Sequence, residues 1–226
     1  MNCEDLHRAD CMLLTDHLPS NVDVIFFHAR AHGDCDDLFE LVANSYREYN
    51  EPFVFVNGGD GKHHNGTVPL ESWEGAERWR DQLTKLHVHH KDIIVTQTAF
   101  HTKEENNYFL EAAREKKVKS ALVVGQPERL TRQFLGLVKS MNDMNYWMRV
   151  YPLAPKFKAT YSWWRPVYCF SAMLTPEELH SREERYRPRF DLAGNEAAKI
   201  PVFQEKGDLA TFEELFSYLR RRESIS

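Results

Sequence analysis

The chain has 226 residues, 42% of them apolar, enough to bury one main core with at most a minor lobe. Its 29 Lys and Arg are scattered among 34 Asp and Glu, for a formal net charge of -5. No basic stripe able to neutralise a phosphate backbone results, so nucleic acid is not an expected partner.

Met1–Ser20 mixes charges and has neither a basic stretch leading into an apolar core nor a run of about 18 apolar residues. It reads as neither a signal peptide nor an anchor. Residues 1–21 are expected to extend a cytoplasmic protein with no membrane association. Cys3, Cys11, Cys35 and Cys169 lack metal-type pair spacing and read as free thiols.

Between Val22 and Leu153 short β-rich runs alternate with helical stripes, the signature of βαβ units. Strands are expected at Val22–His28, Phe53–Asn57, Asp92–Thr96, Ser120–Gly125 and Trp147–Tyr151. The first four have continuous apolar centres, such as Val24-Ile25-Phe26-Phe27 and Ala121-Leu122-Val123-Val124, as strands covered on both faces do. The intervening helices show apolar stripes at Leu38, Leu41, Val42 and Tyr46, at Phe109, Ala112 and Ala113, and at Leu130, Phe134, Leu137, Val138 and Met141. A further helix is expected over Leu70–Leu86. The fold class is α/β: three layers around a mostly parallel five-stranded sheet, in the order 3-2-1-4-5 or a close relative, with right-handed crossovers.

Beyond Pro152 prolines interrupt the periodicity, and an irregular, partly helical C-terminal lobe is expected over residues 156–226, packed on the same core as residues 1–155. Its helices are placed at Thr175–Arg187 and Thr211–Arg222, the second with Thr211 as N-cap and Glu214 in capping-box position.

In open parallel sheets ligands bind beyond the carboxyl ends of the strands, so the residues just after each strand are the candidates. His28 and Arg30 follow the first strand and could meet a phosphate or carboxylate. After the second comes Asn57-Gly58-Gly59-Asp60-Gly61, either a loop with N–H groups turned to a ligand or a tight connection. After the fourth comes Gly125-Gln126-Pro127, opening a helix that carries Arg129 and Arg132, either an anion site or solvated residues of an outer face. Glu71 and Glu74 share one face at a helix start, where acidic residues are ordinary dipole partners. His63 and His64 lie in the glycine loop, while His87, His89 and His90 precede the third strand, opposite the expected site. Trp163 and Trp164 either close over the site or fill the lobe's core.

The order of a Gly58-Gly59 loop, an acidic helix start, a Thr-x-Glu-Glu-Asn helix start and a Pro-x-x-x-x-Arg helix resembles the YdcF-like family, which includes the SanA and ElyC proteins. The resemblance covers Asp23–Pro155 and makes Glu74 the match to the family's Glu. The family's Ser-x-Asn-Thr-x-x-Asn segment is similar to Ala99-Phe100-His101-Thr102 followed by Glu105-Asn106. Here Ala99 replaces the serine, His101 replaces the asparagine, and one extra residue separates Thr102 from Asn106. Arg132 or Arg129 matches the basic helix, and a His common in that loop is missing.

The resemblance implies a Rossmann-like fold, with S-adenosylmethionine binding as the association that carries over to a member without an anchor. Glu74 and His101 become candidates for proton transfer, although His101 reads equally as a helix-cap residue. His28, Arg30, Gly58, Gly59, Asp60, Gly61, Thr102, Asn106, Gln126, Arg129 and Arg132 become candidates for ligand contact, with no metal site expected. Three readings stay open: a protein binding a nucleotide-type small molecule such as S-adenosylmethionine, with transferase activity; a hydrolase or phosphatase acting on a phosphate-bearing small molecule; and a non-catalytic ligand-sensing or partner-binding domain.

Overall fold

The structure, a computed structural model, describes residues 2–28, 36–59, 75–99, 101–155, 166–169 and 185–225. Among these, five strands form one wholly parallel sheet in the order β3-β2-β1-β4-β5. They are β1 (Val24–Phe27), β2 (Phe53–Val56), β3 (Ile93–Val95), β4 (Ser120–Val124) and β5 (Arg149–Leu153). The helices between them are α2 (Asp36–Glu48), α3 (Ala76–Lys85), α4 (Thr102–Glu115) and α5 (Pro127–Asp143). This is the doubly wound α/β arrangement expected from the continuous apolar strands.

Alternation along the strands sorts the core into two halves. Ile25, Phe27, Val54, Val56, Leu122 and Val124 face α2 and α3, where Phe27 lies 4.2 Å from Trp79, ring centre to ring centre. Val24, Phe26, Phe55, Ala121, Val123 and Val150 face α4 and α5, where Phe26 stacks on Phe109 at 4.0 Å.

Residues 1–21 do more than extend the fold. Within them α1 (Cys3–Leu14), capped by Asn2, buries Ala9 and Leu13 in the α4–α5 half of the core. Its apolar face is narrow and interrupted by charge, which hides the helix from a periodicity reading. Cys3 and Cys11 are exposed free thiols.

The last sheet strand ends two residues later than expected, so Pro152 lies inside β5 rather than closing it. An edge strand tolerates a missing N–H that a central one does not. The C-terminal region is more regular than its prolines imply. β6 (Pro166–Cys169) pairs antiparallel with β7 (Arg185–Pro188). The residues Arg185–Arg187 assigned to a helix are therefore strand, and positions 175–184 of that helix lie outside the described residues.

A helix not anticipated, α6 (Arg189–Glu205), contains Pro201. Proline costs a helix interior one hydrogen bond, and here burial of Ile200 and Glu196 accompanies it. The final helix α7 (Phe212–Arg221) has the expected capping box between Thr211 and Glu214. No helix among the described residues is long and apolar enough to cross a membrane.

Candidate functional site

β1 and β4 are neighbours, yet the chain leaves them in opposite directions, β1 toward β2 and β4 toward β5. Loops part at such a point and leave a crevice at the carboxyl ends. The alternation that turns Phe26, Phe55 and Val123 toward α4 and α5 brings the next residues of the same parity, His28, Asn57 and Gly125, to that side.

His28 is fully buried, tilted against Phe26, and its Nδ1 lies 3.0 Å from Oε2 of the buried Glu105 in the first turns of α4. A carboxylate only accepts, so Nδ1 carries the hydrogen and the carboxylate fixes the tautomer. Asn57 holds the loop before α4 through both amide atoms: its Oδ1 accepts from the Ala99 N–H at 2.9 Å and its Nδ2 donates to the Ala99 carbonyl at 3.1 Å.

Gly58 owes its identity to crowding. A Cβ there would lie 2.2 Å from the Thr96 carbonyl oxygen, and the Gly58 N–H donates to Gln97. That N–H is therefore spent inside the fold. Gly59 has a φ of 109°, which favours glycine, and its carbonyl accepts from the Ala76 N–H at the start of α3.

His101 is the N-cap of α4. Its Nδ1 accepts from the Glu104 N–H at 3.3 Å, and its side chain is mostly exposed. The cap arises because an extended residue before a helix can offer its side chain to an orphan N–H. Thr102 and Asn106 follow one turn apart on α4. Thr102 Oγ1 accepts from Arg132, and Asn106 is fully buried with neither amide atom hydrogen-bonded among the described residues.

Pro127 opens α5 at its first position, and Gln126 before it is buried. One helical turn further, Arg132 donates through Nε to Glu196 of α6. Lys199 reaches the other Glu196 oxygen at 2.9 Å. Burial alone would raise the Glu196 carboxyl, but Arg132, Arg129 and Lys199 outweigh it and hold it at about 2. The Lys199 ammonium is pushed below its usual range by burial, which Glu196 only partly offsets. Arg132 is thus committed to a protein carboxylate and to Thr102, and is not poised as a solvated phosphate clamp.

His28, Gly58, Gly59, Thr102, Asn106, Gln126, Arg129 and Arg132 accordingly gather at the carboxyl side of the sheet or on the helix starts beside it. His101 sits there as an exposed cap. Glu74, Arg30, Asp60 and Gly61, together with Glu71, His63, His64, Trp163 and Trp164, lie outside the residues whose placement or side chains are described. His89 and His90 sit at the amino end of β3, and His89 is near Glu51. Among the described residues no group of three His, Cys, Asp or Glu could hold a metal ion.

Sequence reasoning did not single out Glu105, Gln133 or Glu196, and took Asn57 only as the head of the glycine loop. Gln133 left a signal, a polar residue within the apolar stripe of Leu130, Phe134 and Leu137. Glu196 left none, since its helix is not periodic. Searched against family models and against curated proteins, the chain matches none.

Proposed function

We propose that this chain binds a nucleotide-type small molecule, with S-adenosylmethionine the first candidate, at the carboxyl ends of β1, β2 and β4. One observation carries the reading. His28 after β1, Asn57 after β2, Gln126 after β4, Glu105 and Asn106 on α4 and Gln133 on α5 are all buried, with His28 against Glu105 and Gln133 against Gly125 at the β1/β4 divide. Polar groups are expensive to bury, and a cluster of them at the ligand-binding end of a parallel sheet is the expected cost of a site.

The residues suit such a ligand. The carboxamides of Asn106 and Gln133 have no hydrogen-bond partner among the described residues, and the Glu105 carboxylate can accept from ribose hydroxyls. Bound S-adenosylmethionine supplies an electrophilic methyl group, which is what makes transferase activity the enzymatic form of this proposal. The resemblance to YdcF-like proteins supports the same ligand class, and a cytoplasmic setting accords with the free thiols Cys3 and Cys11.

The second reading, hydrolysis of a phosphate-bearing small molecule, draws on the buried His28–Glu105 pair, since a carboxylate-oriented imidazole is a standard acid–base device. The engagement of Arg132 by Glu196 weighs against it.

A thermal-shift screen separates the two, with S-adenosylmethionine, adenosine, nucleotide sugars and inorganic phosphate as probes. A true ligand at about 100 times its dissociation constant adds about 2.7 kcal/mol. Stabilisation by S-adenosylmethionine and adenosine is the expected result. Stabilisation by phosphate alone would replace it with the hydrolase reading.

A further inference from the structure

Gln133 is buried on the first turns of α5, and neither its Oε1 nor its Nε2 has a hydrogen-bond partner among the described residues. Its carboxamide does not point into the helix packing alone. It reaches back to the carboxyl end of β4, where a Cβ on Gly125 would lie 2.3 Å from Oε1. Glycine at that position is what admits it. One turn along α5, Gly136 allows the same closeness to Asn106, whose Nδ2 would be 3.0 Å from a Cβ there. Two glycines, one after β4 and one on α5, thus make room for two carboxamides, Gln133 of α5 and Asn106 of α4.

Four buried polar atoms without a hydrogen-bond partner among the described residues are costly, and a packing role would be served better by Leu or Met. Their chemistry restricts what could satisfy them. Each carboxamide offers a donor and an acceptor side by side. A phosphate only accepts, so it would leave both carbonyl oxygens unpaired. A flat edge with adjacent donor and acceptor, such as the amino-purine edge of adenine, pairs with both halves, as Asn and Gln do with adenine elsewhere.

We propose that Gln133, held open by Gly125, is the residue that reads the base edge of the ligand, an adenine-type ring rather than a phosphate. This rests on the nucleotide reading above and deepens it.

The test compares wild type, Gln133→Leu and Gly125→Ala for binding of adenosine and purine riboside by calorimetry, with melting curves of the ligand-free proteins. Purine riboside lacks the amino donor and gains no other, so a carboxamide oxygen stays unpaired against it whichever way the amide is turned. Wild type should bind adenosine and disfavour purine riboside, a site built to pair with a donor rejecting the analogue that lacks it. Gln133→Leu should bind adenosine roughly tenfold or more weakly and lose the preference between the two. Gly125→Ala should do likewise by displacing the flexible end of Gln133 without altering its chemistry. Ligand-free Gln133→Leu should melt higher than wild type, because an unpaired buried amide becomes an apolar group of similar size.

Adenosine binding that is unchanged in Gln133→Leu, with a lower melting temperature, would assign the carboxamide to internal structure, bridged by buried water. That result overturns this inference and leaves the nucleotide reading intact. Failure of wild type to bind adenosine or S-adenosylmethionine overturns both.

Discussion

Glu196 shows how one side chain can tie a peripheral helix to α5. Its carboxyl is almost wholly buried between Arg132 on α5 and Lys199 on α6, and is held at about 2 against an ordinary 4.5. A depressed carboxylate stabilises the fold fully above its unfolded value and loses that stabilisation as pH falls toward the folded value. The window here runs from about 4.5 down to about 2. The shift corresponds to about 3 kcal/mol. Glu196→Gln should therefore be about that much less stable than wild type at neutral pH, because Arg132 and Lys199 lose their buried counter-charge. Protonated Glu196 resembles the amide, so the gap should narrow as pH falls below about 4.5 and close only near about 2. Urea unfolding of both proteins at neutral pH, near the unfolded value of 4.5 and near the folded value of about 2 reads this directly. A gap independent of pH would mean that Glu196 is not ionised in the fold.

Among elements, the contact between the end of β2 and the loop entering α4 matters most to the site. Asn57 pins that loop by a two-fold bond to Ala99, and the loop delivers the His101 cap and, one turn on, Glu105 and Asn106. Asn57→Ala leaves the Ala99 N–H and carbonyl buried and unpaired, at a cost of about 2 to 3 kcal/mol. Asn57→Asp turns a carboxylate oxygen against the Ala99 carbonyl and buries its charge, so it should be at least as destabilising as Asn57→Ala. Denaturant midpoints for the three proteins check the order. Equal midpoints would show the loop to be held by something other than Asn57.

The same segment explains what could be read from the residues beforehand. Strand centres, the 3-2-1-4-5 order and the Thr211 capping box were legible because each has a local pattern: continuous apolar runs, right-handed crossovers, a hydroxyl three residues before a Glu. The position of His28, Gly58, Gly59 and Gln126 at the carboxyl side of the sheet followed from their place just after the expected strands. Glu105 and Gln133 did not, since a helix residue enters the crevice only when tertiary packing turns its face inward. The helix α1 and the Pro201-containing helix α6 stayed hidden because their apolar faces are short or broken.

At the scale of the whole molecule, the chain's last helix solves a problem that the sheet creates. β5 is an edge strand, and an unpaired edge invites pairing with another chain. Here the hydroxyl of Tyr218, fully buried on α7, accepts from the Val150 N–H at 2.7 Å and donates to the Met148 carbonyl at 2.9 Å. Just beyond α7, Arg222 donates to the Val150 carbonyl at 3.2 Å and pairs with Asp16, which follows α1. The two ends of the chain thus meet over the outer edge of β5 and occupy both backbone groups of Val150. Tyr218→Phe keeps the ring and its packing but removes the hydroxyl. The Val150 N–H is then buried without a partner, at a cost of about 1 to 3 kcal/mol. Burial pushes the Tyr218 phenol well above its usual range, so the effect should be the same from pH 6 to pH 9. Unfolding curves should shift accordingly, and amide exchange at Val150 should quicken more than at Val123 in the centre of the sheet. If exchange quickens equally at both positions, the hydroxyl stabilises the molecule globally and does not guard the edge.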